Sequence, residues 1–391
     1  MNKHLYSLLV AQYLSAFADN AILFTVIAMV MQSAEPASWY VPALQSVFLV
    51  AFVLLAPWAG WFADRYPKSR MLIIANLIKA AGASLLLLHI EPLLAYSLVG
   101  VGAALYSPAK YGILPELTGH NQLVKANSWI EGSTILAILT GMMVGAKVAD
   151  YSIDLALAGT VGLFIVSALA ALLLPKSVSK TTQSGSKLVL FFQEIRLFLS
   201  RRRSRFSVLG ASLFWAAGAC VRVILIAWAP LVLMTHNATD IASLTLFLAL
   251  GIIAGSAIVP VIIPLDKVPR VRFAAYAMGL LIIALGFTSD AWSARAVLFL
   301  MGIAGGMFIV PINATLQELG QQTIGSGGAV AMQNFFQNAA MLISVGGYTL
   351  VSSLKISPVI ALIGLGVLLL IAIFVAAFRM PKAIKAASSH E

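Results

Sequence analysis

Residues 64–70, Asp-Arg-Tyr-Pro-Lys-Ser-Arg, return 202 positions later as residues 266–272, Asp-Lys-Val-Pro-Arg-Val-Arg. Two further pairs keep the same offset, Gly100 with Gly302 and Glu116-Leu117 with Glu318-Leu319. Matches in separate segments, with no net insertion between them, indicate an internal duplication of the chain. The chain is therefore interpreted as two equivalent halves, with residues 64–70 in the first and residues 266–272 in the second.

The composition is that of a membrane protein. The chain has 391 residues, of which 61% are hydrophobic and 10% charged, and its mean hydropathy is +0.96. A soluble domain is roughly 45–50% apolar and about 25% charged. These values exclude a water-soluble globule, a disordered chain and a nucleic-acid-binding domain, despite the net charge of +11. The single cysteine, Cys220, excludes an internal disulfide framework and a multi-cysteine metal site.

Twelve apolar runs predict twelve transmembrane helices, because a helix needs about 20 apolar residues to cross a bilayer. The runs are 5–31, 41–63, 70–89, 93–114, 126–149, 153–174, 206–234, 242–263, 271–288, 294–316, 327–352 and 357–379. The first is too long for a signal peptide, whose apolar region has about 7–15 residues, so we expect it to be retained. The predicted fold is an all-α polytopic membrane protein with two pseudo-symmetric six-helix halves.

The predicted domains are an N-terminal half (1–174), a cytoplasmic linker (175–205) and a C-terminal half (206–391). The linker begins with a polar stretch, KSVSKTTQSGSK, which is typical of a flexible segment. It continues as KLVLFFQEIRLFLSRRRSR, which predicts an interfacial amphipathic helix with a basic end. That end is either a positive-inside anchor or an anionic-lipid site.

The basic residues predict the orientation. With the N-terminus inside, 19 of the 25 lysines and arginines fall on the inner side, three near the outer edge and three within spans. Because lysine and arginine accumulate in cytoplasmic loops, both termini are expected in the cytoplasm. The orientation then explains the positive net charge, and no nucleic-acid partner is needed to account for it.

Two parallel six-helix halves with a site near mid-membrane are the plan of a major facilitator transporter. The segment Gly-Trp-Phe-Ala-Asp-Arg at 60–65 also resembles the signature loop of that superfamily. The glycine permits close helix approach, and the aspartate can pair with basic residues or cap a neighbouring helix. We therefore expect a cytoplasmic latch, although a plain turn with inside-facing charges is the alternative. The expected gating residues are Gly60, Asp64, Arg65, Arg70 and Asp266.

Charged residues within the spans point to a substrate site, since each costs at least about 2.5–3.5 kcal/mol to insert. Asp19 lies about 21 Å into the first span at 1.5 Å per residue. The duplication places Arg222 opposite Asn20, at an equivalent depth in the other half. Asp19 and Arg222 are both expected to face a cavity. The alternative is that they form an ion pair with each other and bind no ligand. The role of Lys79 stays open, because its long stem could reach an interface.

Further polar residues extend this candidate substrate site. The additional residues are Tyr106, Lys110, Asn127, Glu131, Asn313, Gln333, Asn334, Gln337 and Asn338. The amides could instead hold helices together, as polar residues do in membrane bundles. A zwitterion with a phosphate and an ammonium suits the set, with Arg222 and Lys110 on the phosphate and Asp19 on the amine. A polar anion or an amphipathic drug fits almost as well. No catalytic residue, metal or cofactor is expected.

Several segments resemble the lysophospholipid transporters of the Gram-negative inner membrane. The strings are SAFADNAILF (15–24), VGVGAALYSPAKYGILPELT (99–118), LVKANSWIEGSTI (123–135), SLFWAAG (212–218), VPINATLQELG (310–320) and AVAMQNFFQNAAML (329–342). The resemblance implies flipping of lysophosphatidylethanolamine from the outer to the inner leaflet. It also implies a cytoplasmic-face acyltransferase/acyl-carrier-protein synthetase as partner, here expected to be a separate protein. We expect the transporter to be a monomer.

Two other function classes would need different residues. A proton-coupled drug or metabolite exporter would use Asp19 or Glu131 as its titrating group. A membrane acyltransferase would need an arrangement such as HxxxxD. None of the five histidines has an aspartate at that spacing, so no enzyme is expected.

Overall fold

The computed structural model describes residues 3–31, 40–175, 186–234, 238–263 and 269–378. Within these ranges the chain forms α-helices and no strand. The helices are α1 (Lys3–Met31), α2 (Tyr40–Arg65), α3 (Lys68–Leu87), α4 (Pro92–Gly112), α5 (Leu114–Thr118), α6 (Leu123–Tyr151), α7 (Ile153–Ala171), α8 (Lys187–Ser200), α9 (Arg202–Val232), α10 (Ala238–Ile262), α11 (Val271–Leu285), α12 (Ala291–Gln322), α13 (Ser326–Ser353) and α14 (Pro358–Phe378).

Each of the twelve predicted runs corresponds to one α-helix of the described residues, which confirms the all-helical polytopic class. Among the described residues, ten helices are long and apolar enough to cross a membrane. The shorter α11 is apolar but has only 15 residues. α13 is long but outside those ten, because its amide side chains lower its hydropathy. The chain is therefore a multi-pass membrane protein.

Local sequence signals explain where several helices begin and end. Pro67 separates α2 from α3, since proline lacks the N–H that a continuous helix needs. The Glu91 carboxylate accepts a hydrogen bond from the Leu94 amide at 2.9 Å and so caps α4. The Ser152 hydroxyl accepts from the Leu155 amide at 3.2 Å at the start of α7. These caps fix the connections at the membrane surface.

The contacts divide the chain into two compact units. Unit 1 comprises residues 1–120, 133–196 and 317–335. In it, α3 packs on α4 and α7, α2 packs on α4, and α1 packs on α7. Gly102 allows α3 and α4 to approach closely, because a Cβ there would lie 2.7 Å from the Ala75 carbonyl oxygen. Its buried apolar core includes Ile22, Val99 and Phe164.

Unit 2 comprises residues 121–132, 197–316 and 336–391. In it, α14 packs on α9 and α11. α10 and α12 also approach closely, because a Cβ on Gly302 would lie 2.8 Å from the Gly251 Cα. Small residues commonly permit such contacts between membrane helices.

The predicted domain boundaries at residues 174 and 206 stay a prediction, because each compact unit also contains a short segment from the other predicted half. The polar stretch at 176–185, the gating candidate Asp266 and the basic C-terminal residues lie outside the described residues. The second part of the predicted linker forms α8.

Candidate functional site

An ion pair joins Asp19 of α1 to Lys79 of α3 in the interior of unit 1. The Lys79 Nζ lies 2.7 Å from the Asp19 Oδ2 and also donates to the Ser15 Oγ at 2.9 Å. The Tyr106 ring lies 4.5 Å from the same nitrogen, at cation–π distance. Lys79 therefore does not extend to an interface. Its ammonium is enclosed among acceptors and an aromatic face.

A chain of buried hydrogen bonds continues from this ion pair. The Ser15 Oγ donates to the Asn76 Oδ1 at 2.7 Å, and the Asn76 Nδ2 donates to the Ser167 Oγ at 2.8 Å. The Ser167 Oγ then donates to the Ala11 carbonyl at 2.5 Å. The chain links α1, α3 and α7 and satisfies polar groups that have no water in a bilayer interior.

Gln12, two turns before Asp19 on the predicted polar face, is also held by its neighbours. Its side chain hydrogen-bonds the Ser133 hydroxyl, and its Oε1 accepts from the Thr134 hydroxyl at 3.0 Å. Asn20 bonds within its own helix, with its Nδ2 donating to the Ala16 carbonyl at 2.8 Å. The polar face of α1 is thus hydrogen-bonded to α3 and α6, and Asp19 is its charged member.

The predicted polar face of α4 is also present in unit 1. Lys110 is buried, and its Nζ lies 4.3 Å from the centre of the Tyr111 ring. One turn away, the Ser107 Oγ accepts a hydrogen bond from the Asn334 Nδ2 at 2.9 Å. The structure therefore brings α4 together with one of the four amides predicted on α13.

The remaining predicted residues fall in both units. Unit 1 holds Asn20, Tyr106, Lys110, Gln333 and Asn334, and unit 2 holds Asn127, Glu131, Arg222, Asn313, Gln337 and Asn338. The side chain of Arg222 is exposed, whereas Glu131 and Asn313 are buried. Asn127 donates to the Leu123 carbonyl in its own helix at 3.0 Å. Their joint action on one substrate stays a prediction.

A second site lies where α2 ends against the start of α13. The Asp64 carboxylate accepts hydrogen bonds from the Gly327 amide at 3.0 Å and the Gly328 amide at 2.6 Å. These amides are among the first of α13, where a helix carries unsatisfied N–H groups and a partial positive charge. Asp64 thus caps a neighbouring helix, as one of the two roles predicted for it. We call the contact of Gly60 and Asp64 with Gly327 and Gly328 the α2–α13 gate, after the gating role expected for Gly60 and Asp64, which stays a prediction.

The α2–α13 gate depends on the absence of side chains. A Cβ on Gly60 would lie 2.9 Å from both the Gly328 Cα and the Ala331 Cβ. The Ser326 hydroxyl adds a hydrogen bond to the Gly112 carbonyl at 2.8 Å, which ties α13 to the end of α4. Any larger residue at position 60 would push the two helices apart.

Charged residues surround this gate. Lys68 lies 2.5 Å from Glu116 and 4.0 Å from Asp64. His120 contacts Glu318, so the two sequence-equivalent glutamates, Glu116 and Glu318, both form charged contacts in this region. The gating candidates Arg65 and Arg70 are exposed, and the Arg65 guanidinium stacks on the Trp61 ring at 5.0 Å. The gating roles of these two arginines stay predictions.

The amphipathic helix α8, which we call the strap, crosses this gate. Lys187 lies 3.8 Å from the Trp61 ring of α2, and Phe191 packs against Phe335 of α13 with ring centres 5.8 Å apart. Burial raises the pKa of the Glu194 carboxyl to about 7, and the negative charge of Asp64 acts in the same direction. The strap therefore contacts both helices of the gate.

Comparison with known protein families agrees with this helical architecture. The family model of the Major Facilitator Superfamily matches residues 8–345, most of the chain. The chain belongs to the Major Facilitator Superfamily. Among solved structures of that fold, the transporter FucP in the outward conformation superposes with a TM-score of 0.74 at 17% identity, covering 97% of this chain and 99% of FucP. A bacterial homologue of ferroportin in an outward-facing state superposes with a TM-score of 0.70.

Curated relatives of this major facilitator protein are much more similar in sequence. The lysophospholipid transporter LplT of Photorhabdus laumondii subsp. laumondii is 40% identical over 377 residues, or 95% of this chain and 94% of the relative. The LplT protein of Cronobacter sakazakii is 41% identical over 367 residues, covering 92% and 91% of the two chains. The resemblance drawn from the sequence strings is confirmed.

The sequence left the role of Lys79 open, and Glu194 was not among the predicted site residues of this major facilitator protein. Lys79 is the ion-pair partner of Asp19, and Glu194 lies on the strap beside the gate. The available signal for Lys79 was a lysine too deep in its helix to snorkel. For Glu194 it was an acidic residue within an otherwise apolar and basic helix.

Proposed function

We propose that this protein is a lysophospholipid transporter that moves lysophosphatidylethanolamine-type lipids from the outer to the inner leaflet of the bacterial inner membrane. Relatives about 40% identical over 95% of the chain bear the name lysophospholipid transporter. The structural observation that carries the proposal is the Asp19 carboxylate. It lies within a transmembrane helix, yet 19% of its side chain is exposed. A charged acceptor at that depth suits a substrate that carries an ammonium into the membrane.

The proposed site assigns each part of a zwitterionic headgroup to a residue type. Asp19 accepts the ammonium, while Lys110 and Arg222 bind the phosphate, for which charged donors are the strongest partners. The amides Asn20, Asn127, Asn313, Gln333, Asn334, Gln337 and Asn338, together with Tyr106 and Glu131, contact the headgroup along its path. The acyl chain stays against apolar helix surfaces, because each CH₂ exposed to water would cost about 0.8 kcal/mol.

The α2–α13 gate closes the cytoplasmic end in this proposal. Both termini and the strap lie in the cytoplasm, as the distribution of lysine and arginine favours. Opening the gate separates Asp64 from the α13 amides and releases the headgroup into the inner leaflet. Transport involves no chemical step on the protein, so the second acyl chain is restored by a separate acyltransferase/acyl-carrier-protein synthetase. The transporter acts as a monomer.

The proposal is tested by uptake of labelled lysophosphatidylethanolamine into spheroplasts that lack other lysolipid transporters. We expect Asp19→Asn and Arg222→Gln each to lower uptake at least tenfold at equal protein amount, because each removes one charged headgroup contact. Asp154→Asn is the matched control, since Asp154 is an exposed acid in the first turn of α7.

Two outcomes would contradict the proposal. Normal uptake in both variants would remove Asp19 and Arg222 from the site. Loss of wild-type uptake on dissipating the proton gradient, with reacylation intact, would instead favour the proton-coupled exporter.

A further inference from the structure

Lys79 is the most completely enclosed charged residue of unit 1 that has a described ion pair. Its side chain is 1% exposed, and its Nζ bonds Asp19 and Ser15 at 2.7 and 2.9 Å. The Tyr106 and Phe164 rings lie 4.5 and 5.4 Å from the same nitrogen. Two acceptors and two ring faces suit an ammonium, which has three donors and attracts aromatic faces.

The two partners of this ion pair differ in accessibility. The Asp19 side chain is 19% exposed, against 1% for Lys79. The Asp19 Oδ1 is itself buried, and it has no hydrogen-bond partner within the part of the chain that the structure describes. Asp19 is therefore the more accessible partner of the ion pair, and Lys79 is enclosed behind it.

The position of Lys79 is fixed from behind. The Ser15 hydroxyl that accepts from Lys79 donates in turn to Asn76, one turn earlier on α3. Gly102 of α4 packs directly on the lysine stem, because a Cβ there would lie 2.6 Å from the Lys79 Cγ. The ammonium therefore has little freedom to leave Asp19, so it acts as a built-in counter-charge.

We propose that Lys79 is a positioning and specificity-determining residue, which orients Asp19 and cancels its charge so that lysolipids with anionic headgroups are accepted beside zwitterionic ones. This inference rests on the proposed function. An uncompensated carboxylate in a low-dielectric interior repels any extra negative charge on a substrate. With Lys79 in place, Asp19 can accept an ammonium without excluding a headgroup that lacks one.

The test compares two labelled lysolipids of identical acyl chain in the spheroplast assay. Lysophosphatidylethanolamine has no net charge, and lysophosphatidylglycerol has one negative charge. We expect Lys79→Gln to lower the ratio of glycerol-lipid to ethanolamine-lipid uptake about tenfold, as expected for one uncompensated charge nearby. Lys79→Arg keeps the charge and should keep the ratio within about twofold of wild type. Lys147→Gln, which removes an exposed lysine from α6, should leave the ratio unchanged.

A second variant protects the test against misfolding. Leaving one buried charge unpaired destabilises a protein, whereas removing both partners is often tolerated. The double variant Asp19→Asn with Lys79→Gln should therefore reach wild-type amounts in the membrane. It should also restore the wild-type ratio, while its uptake of the ethanolamine lipid stays low.

An unchanged ratio in Lys79→Gln, with both lipids falling in proportion to protein amount, would overturn the inference and leave Lys79 a structural role only. So would a double variant that keeps the altered ratio of the single one. Absence of uptake of either lysolipid by the wild-type protein would overturn the proposed function itself.

Discussion

Asp64 shows how one side chain can connect two distant parts of the sequence. Its two oxygens accept from the amides of Gly327 and Gly328, more than 260 residues away. A carboxylate at a helix N-terminus gains both from charge-assisted hydrogen bonds and from the helix dipole. The contact requires no other side chain, because both donors belong to the backbone.

Asp64→Asn should loosen the α2–α13 gate without unfolding the protein. The amide keeps one acceptor but loses the charge, a change of about 1–2 kcal/mol that shifts the gate equilibrium roughly 5–30-fold toward opening. The measurement is the maleimide labelling rate of Ala63→Cys in a Cys220→Ser background, because Ala63 is buried against Gly327. The rate should rise in the variant and stay at the wild-type value in Asp154→Asn. An equal rate in Asp64→Asn would show that its charge does not hold the gate.

At Gly60, the helices α2 and α13 approach each other closely. We expect Gly60→Val to hold α2 away from α13, since even a Cβ at this position would lie 2.9 Å from the Gly328 Cα. Ala63→Cys labelling should then be fast, and lysolipid uptake should fall at least tenfold. Gly162→Val is the control, because a Cβ at Gly162 meets no atom within 4 Å. Normal gate closure in Gly60→Val would mean that the helices need not touch here.

The strap should respond to pH through Glu194. Its pKa is about 7 beside the gate, against an ordinary value of 4.5. The docked strap therefore binds a proton more tightly than a free strap, so docking is strongest at low pH and weakens as pH rises from about 4.5 to about 7.

A spin label on Arg196→Cys measures this response, because Arg196 is exposed on the strap. The label should be more mobile at pH 8 than at pH 5.5, and Glu194→Gln should remove the difference and keep the low-mobility state. A pH-dependent label in Glu194→Gln would assign the effect to another group.

At the scale of the whole molecule, the charge distribution predicts the orientation. Ser200→Cys on the strap and Ser289→Cys after α11 are both exposed positions on opposite predicted sides. In a Cys220→Ser background, an impermeant thiol reagent should label Ser289→Cys in intact spheroplasts and Ser200→Cys only after permeabilisation. The reverse pattern would invert the topology and place the gate at the outer end.

The apolar runs of the sequence were enough to predict the helices. A bilayer accepts few backbone structures, and the length of an apolar run then distinguishes a spanning helix from a strand. For Asp64 the signature-loop resemblance left two roles open, pairing with basic residues or capping a neighbouring helix, and the structure shows the cap. The pairing of Asp19 with Lys79 could not be derived, because it depends on how α1 and α3 are rotated about their axes. The burial of Phe191 could not be derived either, since α8 has exposed apolar residues as well, such as Phe192 and Leu197.

The amide-rich face of α13 has a consequence for biogenesis. This helix contains Gln333, Asn334, Gln337 and Asn338, and its hydropathy falls short of that of the ten strongly apolar spans. Such a segment gains less from lipid than a more apolar span when it leaves the translocon. We therefore expect helices that are already synthesised to assist its insertion by shielding the amides. The helix that completes the α2–α13 gate is therefore also one whose insertion into the membrane depends on its neighbours.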